Sequence, residues 1–190
     1  KRQDLLLCLG ARLGENTTGG YSLLKVPNTE NPLIHVHPDP NELGRVYTPD
    51  ISLACNSSDF LVEALASAAK KRRNLTKFRN DYFSWREPYE TPGLVKMEQI
   101  ILQLNDALAE DAIVTNGAGN YAAWLHRYFQ YKSFKTQLAP TSGSMGYGIP
   151  AAISAKLECP STEVVCLAGD GCAQMSIQEF GTAMQYLSLI

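Results

Sequence analysis

The chain has 190 residues, of which 45% are hydrophobic and 19% are charged, and its formal net charge is −2. These values are ordinary for a globular protein with one good core or two small ones, and the charge gives no indication of a polyanionic partner. We therefore predict no nucleic-acid partner. No apolar run approaches transmembrane length, so we predict no membrane partner either. The five cysteines form no CxxC pair, which favours free thiols in a reducing compartment and a cytoplasmic location.

The first third of the chain alternates short apolar runs with turns. Three strands are predicted, at residues 5–9, 33–36 and 51–55. A helix is predicted over 59–69, because apolar residues recur there at helical spacing. Its N-cap is Ser57, Ser58 or Asp59, whose short polar side chains suit that position.

Residues 70–92 have a different character. They begin with a basic run, 70–73, that fits the solvated end of the preceding helix. The rest is rich in charged and aromatic side chains without periodicity, which predicts a linker across a surface. A helix is then predicted with Thr91 as its cap and Pro92 at its first position. Its buried stripe comprises Leu94, Met97, Ile100, Ile101, Leu104 and Leu108.

The remaining chain, 93–190, alternates strands with helices. Strands are predicted at 112–115 and 164–168, and helices around 122–125, around 151–155 and over 176–187. Ser176 and Glu179 have the spacing of a capping box, so we assign Glu179 to a helix start and not to acid chemistry. Strands that are apolar on both faces and separated by helices predict the α/β class, with parallel sheets covered by helices.

Three glycine-rich segments follow strands or precede helices, at 117–121, 143–146 and 169–171. Ligands of parallel α/β sheets bind at the carboxyl ends of the strands, and the free N–H groups of helix N-termini bind phosphate. Asp170 adds a carboxylate of the kind that Mg2+ uses when it bridges to a diphosphate. The three segments therefore predict one binding site.

The pattern Gly117-x-Gly119-x-x-Ala122 also fits a dinucleotide fingerprint. That interpretation needs an acidic residue about 20 positions later to hold the ribose, and residues 137–142 contain none. A nicotinamide dinucleotide-binding domain is therefore an alternative that leaves Gly169-Asp170-Gly171 unexplained.

The run 141–152, followed by Gly169-Asp170-Gly171, resembles the cofactor-diphosphate domain of thiamine-diphosphate enzymes, and among them the acetolactate synthase large subunit. The N-terminal third is similar to that family's central domain through 9–13 and 35–44. The resemblance implies a Rossmann-like later half of the central domain over 1–69, a linker over 70–92, and the first part of the thiamine-diphosphate-binding domain over 93–190.

By position, the resemblance implies that Asp170 is a ligand of Mg2+. It implies contacts to thiamine diphosphate from Gly119, Asn120, Tyr121, Gly143, Ser144, Met145, Asp170, Gly171 and Cys172. Backbone amides would bind the diphosphate at Gly119, Asn120, Gly171 and Cys172, and Gly143 and Ser144 would line the aminopyrimidine.

Three of these positions carry alternatives. Met145 matches the apolar residue that wedges the cofactor into its bent form, and plain core packing is the alternative. The family commonly has a Gln-His pair where this chain has Asn120-Tyr121. Side-chain contacts at that pair are therefore in question, whereas backbone contacts are not.

The resemblance further implies decarboxylation and carboligation of 2-oxo acids such as pyruvate, in a homodimer or tetramer. No catalytic residue is assigned to this chain, because the glutamate that acts on the aminopyrimidine belongs to another domain. The asparagine that completes the metal motif is expected roughly 25 residues beyond Gly171. We therefore expect an internal fragment that is inactive by itself. A non-catalytic binding or regulatory protein of the same fold is the alternative.

Two features of the N-terminal third concern other ligands. Arg12 lies where flavin-containing relatives contact FAD, but residues 14–18 depart from the pattern of those relatives, so FAD is an alternative and not part of the main hypothesis. His35 and His37 alternate along one strand without a third candidate ligand, so no metal site is predicted there.

Overall fold

The computed structural model describes residues 4–67 and 75–186. The chain divides into two compact units, unit 1 (Lys1–Arg73) and unit 2 (Asn74–Ile190). Each unit contains a parallel three-stranded sheet with helices between or after its strands. The predicted α/β class with parallel sheets is confirmed.

Unit 1 is built on the sheet β1-β2-β3. Its strands are β1 (Leu6–Leu9), β2 (Leu33–Val36) and β3 (Ile51–Leu53). The central strand β2 supplies the core, because Leu33 and Val36 are both completely buried. A short 3-10 helix (Pro40–Glu42) follows β2, and α1 (Ser57–Ser67) follows β3.

The elements of unit 1 differ from the predictions mainly at their ends. Strand β2 has the predicted bounds, whereas β3 ends two residues early, at Leu53. Helix α1 begins at Ser57, before the predicted start at 59, and none of its residues is buried. Its predicted last residues, 68 and 69, and the basic run 70–73 lie outside the described residues.

Unit 2 begins with a helix in the segment that we predicted to be irregular. Helix α2 spans Thr76–Arg86, so that prediction is wrong for these residues. Side chains fasten α2 to a later helix, α4 (Ala122–Tyr128): Arg127 Nε donates to the Trp85 carbonyl at 2.8 Å, and the Arg86 guanidinium donates to the Tyr128 carbonyl at 3.0 Å. Tertiary contacts therefore hold a helix whose own sequence shows no apolar periodicity.

Helix α3 spans Met97–Ala107, five residues later than predicted, and Thr91 is not its cap. The reason is Gly93, whose φ of +103° cannot belong to a right-handed helix. Thr91 instead donates its hydroxyl hydrogen to the Glu98 carboxylate at 2.8 Å, and this bond holds the pKa of Glu98 below its usual value. Of the side chains predicted to be buried in the stripe, Leu94 is fully exposed and Ile100 is 39% exposed.

The sheet of unit 2 has the order β5-β4-β6. Its elements after α4 are β5 (Gln137–Leu138), α5 (Gly148–Glu158), β6 (Val164–Leu167), α6 (Asp170–Gln174) and α7 (Glu179–Tyr186), and α4 is preceded by β4 (Ile113–Asn116). All four residues of the central strand β4 are buried. The two-residue strand β5 and the short helix α6 were not predicted, because neither is long enough to show a periodic pattern.

Alternate side chains of β4 serve the two faces of this sheet. Val114 packs with Ile101 of α3 and Leu125 of α4. The next residue, Thr115, donates its hydroxyl hydrogen to the Gly148 carbonyl of α5 at 2.9 Å. Since successive side chains of a strand point to opposite faces, α3 and α4 cover one face of the sheet and α5 covers the other.

The predicted capping box before α7 does not form. The Ser176 hydroxyl donates to the Cys172 carbonyl of α6 at 3.4 Å, and the Glu179 carboxylate accepts from the Thr182 hydroxyl at 2.9 Å. The Ser176 side chain thus binds a carbonyl of α6. Helix α7 begins at Glu179, and the Ser176 side chain does not cap it. Leu187, the last residue predicted for this helix, lies outside the described residues.

Within residues 4–67 and 75–186, no helix combines the length and the apolar character that crossing a bilayer demands.

Tyr131 affects the stability of unit 2 at alkaline pH. Burial raises the pKa of Tyr131 to about 12, so folding favours its neutral form over the phenolate. The resulting stability is complete below the unfolded pKa of about 10 and is lost as the pH rises towards about 12. We expect Tyr131→Phe to reduce the loss of stability between about pH 10 and 12, measured by urea unfolding.

The exposed Tyr186 provides the matched control for this measurement. Tyr186→Phe should lose as much stability as the wild type over the same pH interval. A Tyr131→Phe curve that coincides with the wild-type curve would contradict the assignment.

Candidate functional site

The topology of unit 2 fixes where a ligand can enter. The chain leaves β4 through α4 to reach β5 on one side, and then passes through α5 to reach β6 on the other side. The connections on the two sides therefore diverge between β4 and β6. Open parallel sheets bind ligands at such a switch point, outside the carboxyl ends of the strands.

Two glycine-rich segments lie at this switch point and contact each other. The first glycine loop (residues 117–121) follows β4. The third glycine loop, predicted as 169–171 and extended here to 169–172 to include Cys172, follows β6. Gly117 N–H donates to the Leu167 carbonyl at 3.2 Å, and the Cys172 thiol donates to the Ala118 carbonyl at 3.0 Å. The structure thus brings together two of the three predicted segments.

Tyr121 packs between these loops. A β-carbon on Gly119 would lie 2.8 Å from Tyr121 Cε1, and one on Gly169 would lie 3.0 Å from the same atom. A side chain at either position would therefore press on the Tyr121 ring. Burial, reinforced by the neighbouring Cys172 thiol, raises the pKa of Tyr121.

The second glycine loop (residues 143–146) reaches the third through Met145. A β-carbon on Gly171 would lie 2.9 Å from the Met145 ε-methyl carbon, so this side chain covers the Gly171 backbone. Met145 is nonetheless 46% exposed, which argues against the alternative of plain core packing. Gly143 and Ser144 are also exposed, and the Ser144 hydroxyl pairs with that of Ser142 at 2.8 Å.

Asp170 begins α6 directly after β6, with an exposed side chain at the carboxyl edge of the sheet. Its Oδ1 accepts the Gly171 N–H at 2.8 Å. The Gly171 amide, expected to face a diphosphate, is therefore used by the neighbouring carboxylate. The first α-helical bond of α6 is donated by Ala173 to Gly169 at 2.8 Å, so the Cys172 N–H lies in the first turn, where intrahelical acceptors are lacking.

Metal-binding side chains do not cluster at this edge. Among the described residues, no group of three or more His, Cys, Asp or Glu side chains could hold an ion. Mg2+ commonly uses one or two carboxylates and takes its other ligands from phosphate and water. The donor set at Asp170 therefore fits a magnesium diphosphate better than an ion held by protein alone.

Asn116 is a site residue that the sequence analysis missed. It ends β4 and is 1% exposed; its amide donates to the Gly117 carbonyl at 2.8 Å, while its Oδ1 has no hydrogen-bond partner in the described chain. The available signal was a polar residue that closes an apolar strand immediately before a glycine loop.

The dinucleotide alternative has no acidic residue where it needs one. Strand β5 follows α4 as that alternative requires, but the segment after it, 139–142, holds Ala-Pro-Thr-Ser. A ribose hydroxyl would find no carboxylate there.

The histidines of unit 1 contact backbone atoms. His35 Nε2 lies 2.8 Å from the Ala11 carbonyl, and His37 Nδ1 accepts the Asp39 N–H at 3.0 Å. Arg12 is largely exposed, with its Nε 3.9 Å from the buried Glu42 carboxylate. These contacts neither require nor prevent a flavin.

Two family models match the chain. Residues 1–64 match the thiamine pyrophosphate enzyme central domain, and residues 117–190 match the C-terminal TPP binding domain of thiamine pyrophosphate enzymes. The second match contains the three glycine loops and Asp170.

Curated relatives align with nearly all of the chain. The acetolactate synthase large subunit of Pyropia yezoensis is 31% identical over 96% of this chain and 32% of the relative. The acetolactate synthase isozyme 2 large subunit of Escherichia coli is 29% identical over 94% of this chain and 32% of the relative. The acetolactate synthase of Mycobacterium bovis is 29% identical over 96% of this chain and 31% of the relative. The chain spans about a third of the length of these relatives.

The close approach of backbones at this site can be tested with alanine. A β-carbon on Gly148 would lie 2.9 Å from Gly117 N and 3.0 Å from Asn116 C, both backbone atoms, whereas one on Gly171 meets only the flexible end of Met145. We expect Gly148→Ala to lower the free energy of unfolding by about 1–3 kcal/mol, and Gly171→Ala by less than about 1 kcal/mol.

Gly181 in α7 is the matched control, because nothing lies within 4 Å of its would-be β-carbon. Gly181→Ala should raise the free energy of unfolding by about 0.5–1 kcal/mol, as alanine does inside a helix. Urea unfolding measures all three variants, and equal losses for Gly148→Ala and Gly171→Ala would show that the backbone contact is unimportant.

Proposed function

Because the chain belongs to the thiamine pyrophosphate enzyme family, we propose that unit 2 carries the diphosphate-binding part of a site for thiamine diphosphate and Mg2+. The observation that carries the proposal is the meeting of the first and third glycine loops at the switch point of the sheet, with Asp170 at the same edge. Glycine there brings amides close to an anion, and the carboxylate brings a metal ligand.

Each residue has a distinct task in this proposal. Asp170 coordinates Mg2+ through its carboxylate, whose Oδ1 is already oriented by the Gly171 amide. Backbone N–H groups of Gly119, Asn120 and Cys172 bind the diphosphate oxygens. The Gly171 amide can also bind the diphosphate only if it first releases its hydrogen bond to Asp170 Oδ1.

The second glycine loop serves the organic part of the cofactor. Met145 is exposed above Gly171, where its flexible apolar side chain would support the organic part of the cofactor. Gly143 and Ser144 line the aminopyrimidine, and the φ of +68° at Gly143 gives the loop a turn that favours glycine.

The reaction proposed for the whole enzyme is acetolactate-synthase-like. When bound, thiamine diphosphate supplies a carbon nucleophile that attacks the carbonyl of a 2-oxo acid and accepts the electrons released by decarboxylation. The residues of this chain would bind and orient the cofactor. We further propose a transferase or lyase that works as a homodimer or tetramer in the cytoplasm, with the aminopyrimidine glutamate contributed by another domain.

The role of Asp170 can be tested by calorimetric titration of the chain with thiamine diphosphate and Mg2+. We expect Asp170→Ala to weaken binding at least about tenfold, or about 1.4 kcal/mol, because it removes the metal-ligating carboxylate. The loss should be much smaller when Mg2+ is omitted from both titrations.

Asp111→Ala is the matched control, because it changes the charge of the chain by the same amount as Asp170→Ala. Asp111 is exposed and precedes β4, at the opposite end of the strands, so its removal should leave the affinity unchanged. Equal affinities for the wild type and Asp170→Ala would remove Asp170 from the metal site.

The isolated 190-residue chain is expected to show no turnover of pyruvate with thiamine diphosphate and Mg2+. The reason is that it spans about a third of the relatives named acetolactate synthase, and the proposed glutamate is not assigned to it. Carbon dioxide release and acetolactate formation measure this. Turnover would overturn the expectation, whereas binding without turnover even in the full-length polypeptide would favour a non-catalytic binding protein of this fold.

A further inference from the structure

We infer that Tyr121 is a positioning residue that sets the spacing between the first and third glycine loops, and that its ring, not its hydroxyl group, performs this role. The inference rests on the proposed diphosphate site and names a residue that shapes it. The site depends on two loops from different strands, so their separation decides whether amides from both can reach one anion.

The geometry shows one ring edge between the two loops. Tyr121 Cε1 lies 2.8 Å from where a β-carbon of Gly119 would be and 3.0 Å from where a β-carbon of Gly169 would be. The adjacent Cδ1 repeats this pattern at 3.0 and 3.2 Å. The same ring edge thus rests on the backbone of both loops, and an aromatic ring is a rigid spacer of fixed thickness.

The hydroxyl end of the side chain extends the contact. Tyr121 Oη lies 2.8 Å from the would-be β-carbon of Gly117, and Cys172 Sγ lies 2.9 Å from that same point. Tyr121 therefore reaches the beginning of the first loop and the end of the third. The Cys172 thiol, bonded to the Ala118 carbonyl at 3.0 Å, closes the same junction from the other side.

The hydroxyl group itself is buried and lacks a partner at hydrogen-bonding geometry within the described residues. The Cys172 thiol and the backbones of Gly117 and Gly169 lie close to this hydroxyl, but none of them forms a hydrogen bond of good geometry with it, and a buried hydroxyl without such a bond costs stability. The ring must therefore carry the positioning, which predicts that phenylalanine replaces tyrosine here and that a small side chain does not.

The test compares four forms of the 190-residue chain in calorimetric titrations with thiamine diphosphate plus Mg2+, and with inorganic diphosphate plus Mg2+. The forms are the wild type, Tyr121→Ala, Tyr121→Phe and Tyr131→Ala. Tyr131→Ala is the matched control, because it removes an equal side chain from the same unit at a site packed against the α3–α4 core. Circular dichroism confirms folding at the temperature of titration.

We expect Tyr121→Ala to weaken both ligands at least about tenfold and Tyr121→Phe to restore affinity to within about threefold of the wild type. Tyr131→Ala should lower the Tm but keep the wild-type affinity. If Tyr121→Ala does not fold, Tyr121→Leu, which lacks the far half of the ring, takes its place in the comparison.

Three results would overturn the inference. Wild-type affinity in Tyr121→Ala or its replacement would show that the ring does not set the spacing. A loss in Tyr121→Phe equal to that in Tyr121→Ala would assign the role to the hydroxyl group. Absence of binding by the wild type to either ligand would overturn the proposed function together with this inference, which distinguishes the two failures.

Discussion

The strand order β5-β4-β6 is the constraint on which the site in unit 2 depends. Because β4 is the central strand and connections between parallel strands are right-handed, the connections that lead to its two neighbours lie on opposite faces of the sheet. The connections separate at the carboxyl ends of β4 and β6, and the chain has to turn sharply there. Gly148 allows two backbones to approach, since a β-carbon there would lie 2.9 Å from Gly117 N. Glycines 117, 119 and 169 make room for side chains instead, because a β-carbon at any of them would lie 2.8–3.0 Å from Tyr121.

That approach has an energetic cost. Within the described residues, four buried side-chain oxygens lack hydrogen-bond partners, and two of them, Asn116 Oδ1 and Tyr121 Oη, belong to the end of β4 and the loop that follows it. An unsatisfied buried polar group costs roughly 1–3 kcal/mol. The large apolar core formed by α3, α4 and β4 is the part of unit 2 that can offset this cost. Strain and unsatisfied groups of this kind collect at binding sites.

The sequence was sufficient where local pattern and tertiary structure agree. Strand β2 and the glycine loops could be predicted because apolar runs, glycines and polar ends recur in the order that a parallel sheet requires. The start of α3 could not, because the positive φ of Gly93 and the Thr91–Glu98 bond are features of the folded chain. Helix α2 was missed for a similar reason: contacts with Arg127, 41 positions beyond Arg86, hold it in place.

The site shows the same division between local pattern and tertiary contact. Asp170 follows an apolar strand and could be identified from its glycine neighbours, but the use of the Gly171 amide by its own carboxylate is a matter of backbone geometry. Likewise, the sequence around Tyr121, the last residue of the first glycine loop, does not indicate that its ring will contact Gly169, which lies 48 positions later in the chain. Long-range contacts of this type are fixed by the order of the strands.

The Asp170 carboxylate at the carboxyl edge also constrains how the proposed ligands would bind. One aspartate leaves most of the coordination shell of Mg2+ to be filled by water and phosphate oxygens, and amides alone do not neutralise the charge of a diphosphate. Metal and diphosphate would therefore each raise the affinity of the other, because each supplies what the protein edge lacks. Such coupling is reciprocal by thermodynamic necessity. The spacing of the two glycine loops would therefore affect both ligands. It would determine which amides reach the diphosphate, and it would set the distance from that diphosphate to Asp170.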